Sequence, residues 1–368
     1  MMDKNLRTVS LFLNPDSIVS ITPYGNGHIN TTFLVKAKEE GEEKDYILQE
    51  INVNVFKNPD ALMSNYCAVT EYLSKEIEKR GGDPLRETLR VIYSKDGKSY
   101  VVTENGEHWR MLLFIKDSIC YDRVESPEQF YECAVAFGNF QYMLKSFPAD
   151  TLYEIIPNFH NTPVRYENLM KAVKDDVCGR VAEVSSEISF AKEREEFANI
   201  FENARAEGKL PLKVTHNDTK LNNILFDKAT GKTLCVIDLD TIMPGYAIND
   251  FGDSIRFGAT TAAEDEADLT KVNFDISLFE LYTKGFIEGA KGGLAEGELE
   301  YLAEAAIMMT FECGMRFLTD YLEGDTYFRI HRPKQNLDRA RNQFKLVSDM
   351  EKALPEMKRI VKKYSENA

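Results

Sequence analysis

Between Val214 and Asp240 the chain reads V-T-H-N-D-T-K-L-N-N-I-L-F-D-K-A-T-G-K-T-L-C-V-I-D-L-D. This run constrains the fold most, because it places a strand-like island inside a half of the chain whose patterning is otherwise helical. Polar residues stand at fixed places within it: His216-x-Asp218, then Asn223, then Asp238 closing the apolar stretch Leu234 to Ile237.

Composition narrows what surrounds the island. At 368 residues the chain is long enough for two or three domains or one unit with a large core. The net charge of −15 argues against nucleic acid and anionic membrane surfaces as partners. No apolar stretch approaches the roughly 20 residues needed to span a bilayer. The run Val9 to Leu13 is too short for a signal peptide. Six scattered cysteines, at 67, 120, 133, 178, 235 and 313, contain no C-x-x-C pair and read as reduced thiols. A cytoplasmic protein is expected, with the monomer favoured and its oligomeric state left open by the sequence.

The first hundred residues read as an antiparallel sheet with one helix. Ser17 to Tyr24 and Asn30 to Ala37 alternate around Gly25-Asn26-Gly27, a hairpin signal, and Asp45 to Asn52 gives a third strand. Asn58 is placed to cap a helix with Pro59 in its first turn. Its apolar stripe is Leu62, Tyr66, Val69, Leu73 and Ile77, and Gly81-Gly82 ends it. Strands near 89–94 and 98–103 lead into His108 to Ile115. From Pro127 the pattern predicts helices over 127–145, 162–178, 185–207, 276–290, 296–321 and 336–354. The fold class is therefore α+β, with an N-terminal antiparallel sheet and one helix in residues 1–115 and a larger, mainly helical part in 116–368. Chemistry is expected at the seam.

The island carries what phosphoryl transfer to a hydroxyl requires. One Asp must face the acceptor, while an Asn and a second Asp hold Mg²⁺ against phosphate oxygens. Asp218 fits the first role, and Asn223 and Asp238 fit the second. Asp240 can reach the metal or serve structure. His216 reads as a brace of the loop more than as a chemical group. Lys220 offers a cation to offset phosphate charge, although a solvated loop lysine would read the same.

Other positions are nucleotide or acceptor candidates. Gly25 and Gly27 suit a phosphate-covering hairpin, with His28, Asn30 and Thr31 facing phosphate or acceptor. Gln49 stands where a kinase-type third strand would carry a lysine, so nucleotide binding must lean on backbone and metal. Met111 and Phe114 lie where a lobe-connecting strand would meet adenine. Asp250 and Asp253 can cap a helix, brace the loop or bind acceptor hydroxyls. The stretch Gly314 to Phe328, with Arg316 and Tyr321, is dense in planar polar and aromatic groups that suit a sugar; an aromatic contact between helices reads the same.

At these residues the chain resembles the aminoglycoside phosphotransferase and choline kinase superfamily, which uses a bilobal protein-kinase-like fold on small molecules. The string His216 to Asn223, with Ile237-Asp238-Leu239-Asp240-Thr241-x-Met243-Pro244-Gly245, more narrowly resembles the bacterial N-acetylhexosamine 1-kinases. Supporting matches are Gly27 to Thr32, Ile47-Leu48-Gln49-x-Ile51-Asn52, Ile156-Pro157-x-Phe159-His160-x-Thr162-Pro163 and Arg316 to Tyr321. The resemblance implies transfer from ATP, with Mg²⁺, to the anomeric hydroxyl of N-acetylglucosamine or N-acetylgalactosamine. It makes Asp218 the catalytic Asp, Asn223 and Asp238 the metal ligands, and His28, Arg316 and Asp253 sugar contacts. The alternatives are a kinase of another sugar, an aminoglycoside or a choline-like amino alcohol, and a nucleotide-binding pseudokinase.

Overall fold

A computed structural model describes residues 4–25, 29–121, 124 and 126–366. Helix α1 (Lys4–Val9) is followed by Phe12 and Leu13, and Val9, Phe12 and Leu13 are all buried. The apolar run near the N-terminus therefore closes a core. Strands β1 (Ile18–Pro23), β2 (Thr31–Glu39) and β3 (Glu42–Ile51) pair antiparallel in sequence. Gly25 sits at φ +76°, as a turn beyond β1 demands. Gly27 and His28 of the expected hairpin lie outside the described residues.

Helix α2 (Pro59–Lys79) begins where its capping signal places it, with the Asn58 side chain accepting from the Ala61 amide at 3.1 Å. Its whole predicted stripe is buried. After α3 (Pro84–Glu87), strands β4 (Val91–Ile92) and β5 (Val101–Val102) are shorter than predicted. Both pair with the same edge of β6 (His108–Leu113), so each is left two residues of it. The sheet runs β1-β2-β3-β6-β4 with β5 beside β6. One face packs Val35, Ala37, Tyr46, Leu48, Trp109 and Met111 against Val9, Phe12 and Leu13. Strand alternation turns Thr32, Gln49 and Arg110 to the other face, in register across β2, β3 and β6. Strand β7 (Ser118–Ile119) follows.

The helical part starts with α4 (Pro127–Met143), capped by Ser126, and α5 (Thr162–Asp175), capped by Asn161. The single helix expected over 185–207 is three pieces, α6 (Ser185–Lys192), α7 (Glu195–Ala198) and α8 (Ile200–Ala206). The first break holds Arg194, which binds Glu351 through two nitrogens at 2.8 Å and the Phe190 carbonyl. Next come β8 (Lys213–Thr215), β9 (Ile224–Asp227), β10 (Thr233–Val236) and β11 (Met243–Gly245). Helix α9 (Ala247–Gly258) is not among the predicted helices: it has an apolar side, Ile248, Phe251 and Ile255, and a polar side, Asn249, Asp250, Asp253 and Arg256, and both are buried. Helices α10 (Ile276–Ala290) and α11 (Glu296–Leu322) agree with their predicted spans. Helix α12 (Gln335–Ser365) runs on through Pro355, past the expected stop at 354, because Met357, Ile360 and Val361 are buried beyond it.

The chain gathers into two compact units. One comprises Met1–Cys120, Ser146–Ile156 and Asn223–Pro244; the other comprises Tyr121–Lys145, Pro157–Asn222 and Gly245–Ala368. In the first, β9 pairs with β10 and β7 in a small second sheet. In the second, α9 lies so close to α11 that a Cβ on Gly252 would stand 2.3 Å from the Ala305 carbonyl oxygen. Among the described residues no helix is long and apolar enough to cross a membrane. Gly252→Ala must push α9 off α11, and thermal unfolding should show a loss of about 1–3 kcal/mol.

Candidate active site

In the first unit, the β9–β10 hairpin sets two of the expected metal ligands side by side. Its turn is closed by Asp227, whose Oδ1 accepts from the Ala229 and Thr230 amides at 3.1 and 2.9 Å. Asn223 precedes β9 and Asp238 follows β10, and the Ile237 amide donates to the Asn223 carbonyl at 2.9 Å. Asn223 is buried and Asp238 is exposed. Asp238 has a left-handed backbone, φ 59° and ψ 56°, and a short 3₁₀ turn, Leu239–Thr241, follows it. One amide and one carboxylate oxygen are hard donors of the type Mg²⁺ takes when phosphates and water complete its shell. The donor set therefore fits that ion.

Asp240, grouped with the metal ligands on sequence, has both carboxylate oxygens engaged by side chains of the same unit. One carboxylate oxygen takes the Arg110 guanidinium and the other takes the Asn30 amide at 2.6 Å. Asn30 also accepts from the Asn52 amide at 3.0 Å, so it braces this turn. Gln49, in the place of the kinase lysine, accepts Arg110 Nε at 3.0 Å and donates to Thr32 at 3.2 Å. Thr31 is exposed. Met111 is sealed in the core on the opposite face, and Phe114 stands edge-on to Tyr24 with ring centroids 5.6 Å apart. Arg110 and Tyr24 escaped the sequence reading. The signal for Arg110 was a charged residue in the middle of an apolar strand.

In the second unit, the loop after β8 is seated on α9. The buried Asp250 carboxylate accepts the His216 and Asn217 amides at 2.9 and 2.8 Å and the Gln141 side chain at 2.9 Å. The Thr219 hydroxyl donates to the Asp250 carbonyl at 2.6 Å, and the Ser254 hydroxyl donates to the Thr219 carbonyl at 2.8 Å. Burial pushes the Asp250 carboxyl up from its ordinary range, against the pull of His216 and these amides. His216 is fully buried, edge-on to Phe137 and Phe140, and its Nδ1 accepts the Asp218 amide at 3.3 Å.

Asp218 emerges from this seat with its side chain 31% exposed, and Lys220 Nζ lies 2.6 Å from its Oδ1. Burial would lower the Lys220 pKa, but the charges of Asp218 and Asp253 hold it raised. Asp253 pairs with Arg256 at 2.9 Å, and Arg256 also binds Glu264 at 2.6 Å. Burial would raise the Asp253 carboxyl, but Arg256 and Lys220 hold it below its ordinary value.

His160 joins the loop to α11. Its Nε2 is 3.3 Å from the Asn217 carbonyl, and its Nδ1 is 2.8 Å from Glu312, which also accepts from Thr162 at 2.7 Å. Arg316 lies one turn beyond Glu312 on the same helix face. Its guanidinium is 5.3 Å from the Phe159 ring centre, 5.4 Å from Phe328 and 6.0 Å from Tyr327. Tyr321 is about 140° further round α11. It is buried, under the Arg180 guanidinium, with its hydroxyl donating to Glu183. The structure thus separates Arg316 from Tyr321.

A family model described as the phosphotransferase enzyme family matches residues 20–281. The chain belongs to this family. Among solved structures it is similar to an aminoglycoside phosphotransferase from Alicyclobacillus acidocaldarius, with a TM-score of 0.63 and 13% identity over 97% of this chain and 96% of that one. A choline kinase from Cryptosporidium parvum gives 0.53 and 15% over 94% and 92%. An ethanolamine kinase from Plasmodium vivax gives 0.54 and 14% over 90% and 83%. At these identities the likeness is one of fold, and it is the kinase-like α+β fold expected from sequence.

Because the Asp253 pKa is depressed in the folded chain, its stabilisation is complete above the unfolded value of about 3.9 and fades as pH falls through the folded value. Asp253→Asn should therefore unfold with about 3 kcal/mol less stability at pH 7, as for a broken buried pair. Thermal melts at decreasing pH should show its gap to the wild type closing below about pH 4.

Proposed function

We propose that this chain moves the γ-phosphoryl group of ATP to a hydroxyl of a small molecule, and that the acceptor is the anomeric hydroxyl of an N-acetylhexosamine. The observation that carries the transfer reading is Asp218, presented half-exposed by a loop whose backbone is fixed to buried Asp250. A carboxylate held so firmly aligns an acceptor hydroxyl. That oxygen bonds to the γ-phosphorus, the bond to the bridging oxygen of ADP breaks, and the proton passes to Asp218. Lys220, 2.6 Å from Asp218, would offset charge on the moving group. Asn223 and Asp238 would hold Mg²⁺, which neutralises phosphate charge when bound. Tyr24 and Phe114 offer an apolar edge to adenine.

Arg316 among Phe159, Tyr327 and Phe328 supports a sugar. A guanidinium donates to ring hydroxyls and aromatic faces take C–H groups, whereas the same cation repels a choline-like acceptor. Arg165 adds a second positive group here, and its pKa is held down by burial and by Arg316. His28 and Asp253 remain proposed sugar contacts. The neighbours' own acceptors, aminoglycosides, choline and ethanolamine, are the second reading.

Phosphorus NMR of enzyme, Mg-ATP and N-acetylglucosamine or N-acetylgalactosamine, beside glucose, galactose, kanamycin and choline, decides among them. A new phosphomonoester coupled to the anomeric proton is the expected result. A product from choline or kanamycin alone would replace the sugar reading, and intact ATP with every acceptor would count against this acceptor set. Asp218→Asn should cut transfer by about 10²-fold or more while calorimetry shows ADP binding unchanged, because it alters the base and spares the metal ligands.

A further inference from the structure

We infer that Arg110 is a positioning residue for the metal-holding turn: from β6 it pins Asp240, and through Asp240 the left-handed turn at Asp238. The inference rests on the phosphotransferase reading for what the turn holds, but the pin itself is a matter of structure. Arg110 and Asp240 are 1% and 3% exposed, an ion pair removed from water. The guanidinium has every side engaged. Asp240 takes Nη1, Gln49 takes Nε and Nη2, and the Tyr66 ring lies 4.6 Å below it. A pair so buried is costly to desolvate, and removing either partner would strand a charge. Such a group is a rigid anchor.

The turn needs one. Asp238 holds a left-handed backbone that is strained for an L-residue, and the chain must then fold through Leu239–Thr241. Asp240 is fixed by two separate stretches, Arg110 from β6 and Asn30 from the approach to β2. Further along, the Asn65 amide of α2 holds the Ile242 carbonyl at 2.9 Å. Register supplies the anchor. Thr32, Gln49 and Arg110 are cross-strand neighbours, so Gln49 passes the hold of Thr32 to Arg110. A lysine at 49 would bring a second cation against the guanidinium. The glutamine accepts from Arg110 instead, which accounts for the residue at that position. Among the described residues, the buried cation of this unit therefore stands on β6 and grips the metal turn.

Arg110→Met, the double variant Arg110→Met/Asp240→Leu and Arg110→Lys test this. Amide hydrogen exchange over 237–242 reads the pin without any ligand, and ADP calorimetry with and without Mg²⁺ reads its purpose. The double variant should regain much of the thermal stability that Arg110→Met loses, because no charge is stranded. Exchange in the turn should still rise, and the tightening of ADP binding by Mg²⁺ should still fall by about 10-fold or more, with metal-free ADP binding unchanged. Arg110→Lys should recover part of both. A folded double variant with wild-type exchange in the turn overturns the pin, whatever the ligand does. Raised exchange with full Mg²⁺ tightening overturns its role toward the metal, as does a loss of metal-free ADP binding, which would put Arg110 on the nucleotide itself. A wild type that binds ADP under neither condition sinks the phosphotransferase reading, and the exchange result then still decides the pin.

Discussion

The Asp250 carboxylate is the point on which the second unit's chemistry turns. Three N–H donors converge on it, two from the backbone of the loop that carries Asp218 and one from Gln141 on α4. A carboxylate buried without such donors would be strongly disfavoured. With them, it fixes the loop to α9, and α9 is itself fixed by its close approach to α11 at Gly252. The conformation of Asn217, at φ 65°, is part of the same arrangement. It turns the chain so that two consecutive amides reach one carboxylate and Asp218 follows on the far side.

The first unit solves a similar problem with the opposite charge. There a buried guanidinium, Arg110, is the hub, and its carboxylate partner belongs to the turn that must be held. In both units a left-handed residue lies in or beside the anchored stretch: the Asn217 amide is held by Asp250, and Asp238 stands two residues before Asp240. Strain of that kind persists only where neighbours over-determine it.

Much of this architecture was legible because local signals agreed with burial. Asn58, Ser126 and Asn161 cap helices that begin where capping chemistry requires. The stripe on α2 and the alternation of β2 and β3 match one buried face each. Reading failed where burial was complete or where a distant contact intervened. Helix α9 carries an amphipathic period, but its polar side, with Asn249, Asp250, Asp253 and Arg256, is buried as fully as its apolar side, so the pattern does not say what that side packs against. The break at Arg194 depends on Glu351, more than 150 residues away. Pro355 reads as a helix stop, yet the packing of Met357 and Ile360 carries α12 beyond it.

The sequence by itself determined most of the elements and the family, because capping, periodicity and motif spacing are local properties. Only the tertiary structure decided what the chain's polar residues do for one another. Asp240 pairs with Arg110 from 130 positions earlier, Asn30 joins them from 210 positions earlier, and Gln49 meets Arg110 through strand register. A buried charge takes whatever partner the fold brings to it. Such partnerships leave no periodicity or spacing in the chain for a reader to find.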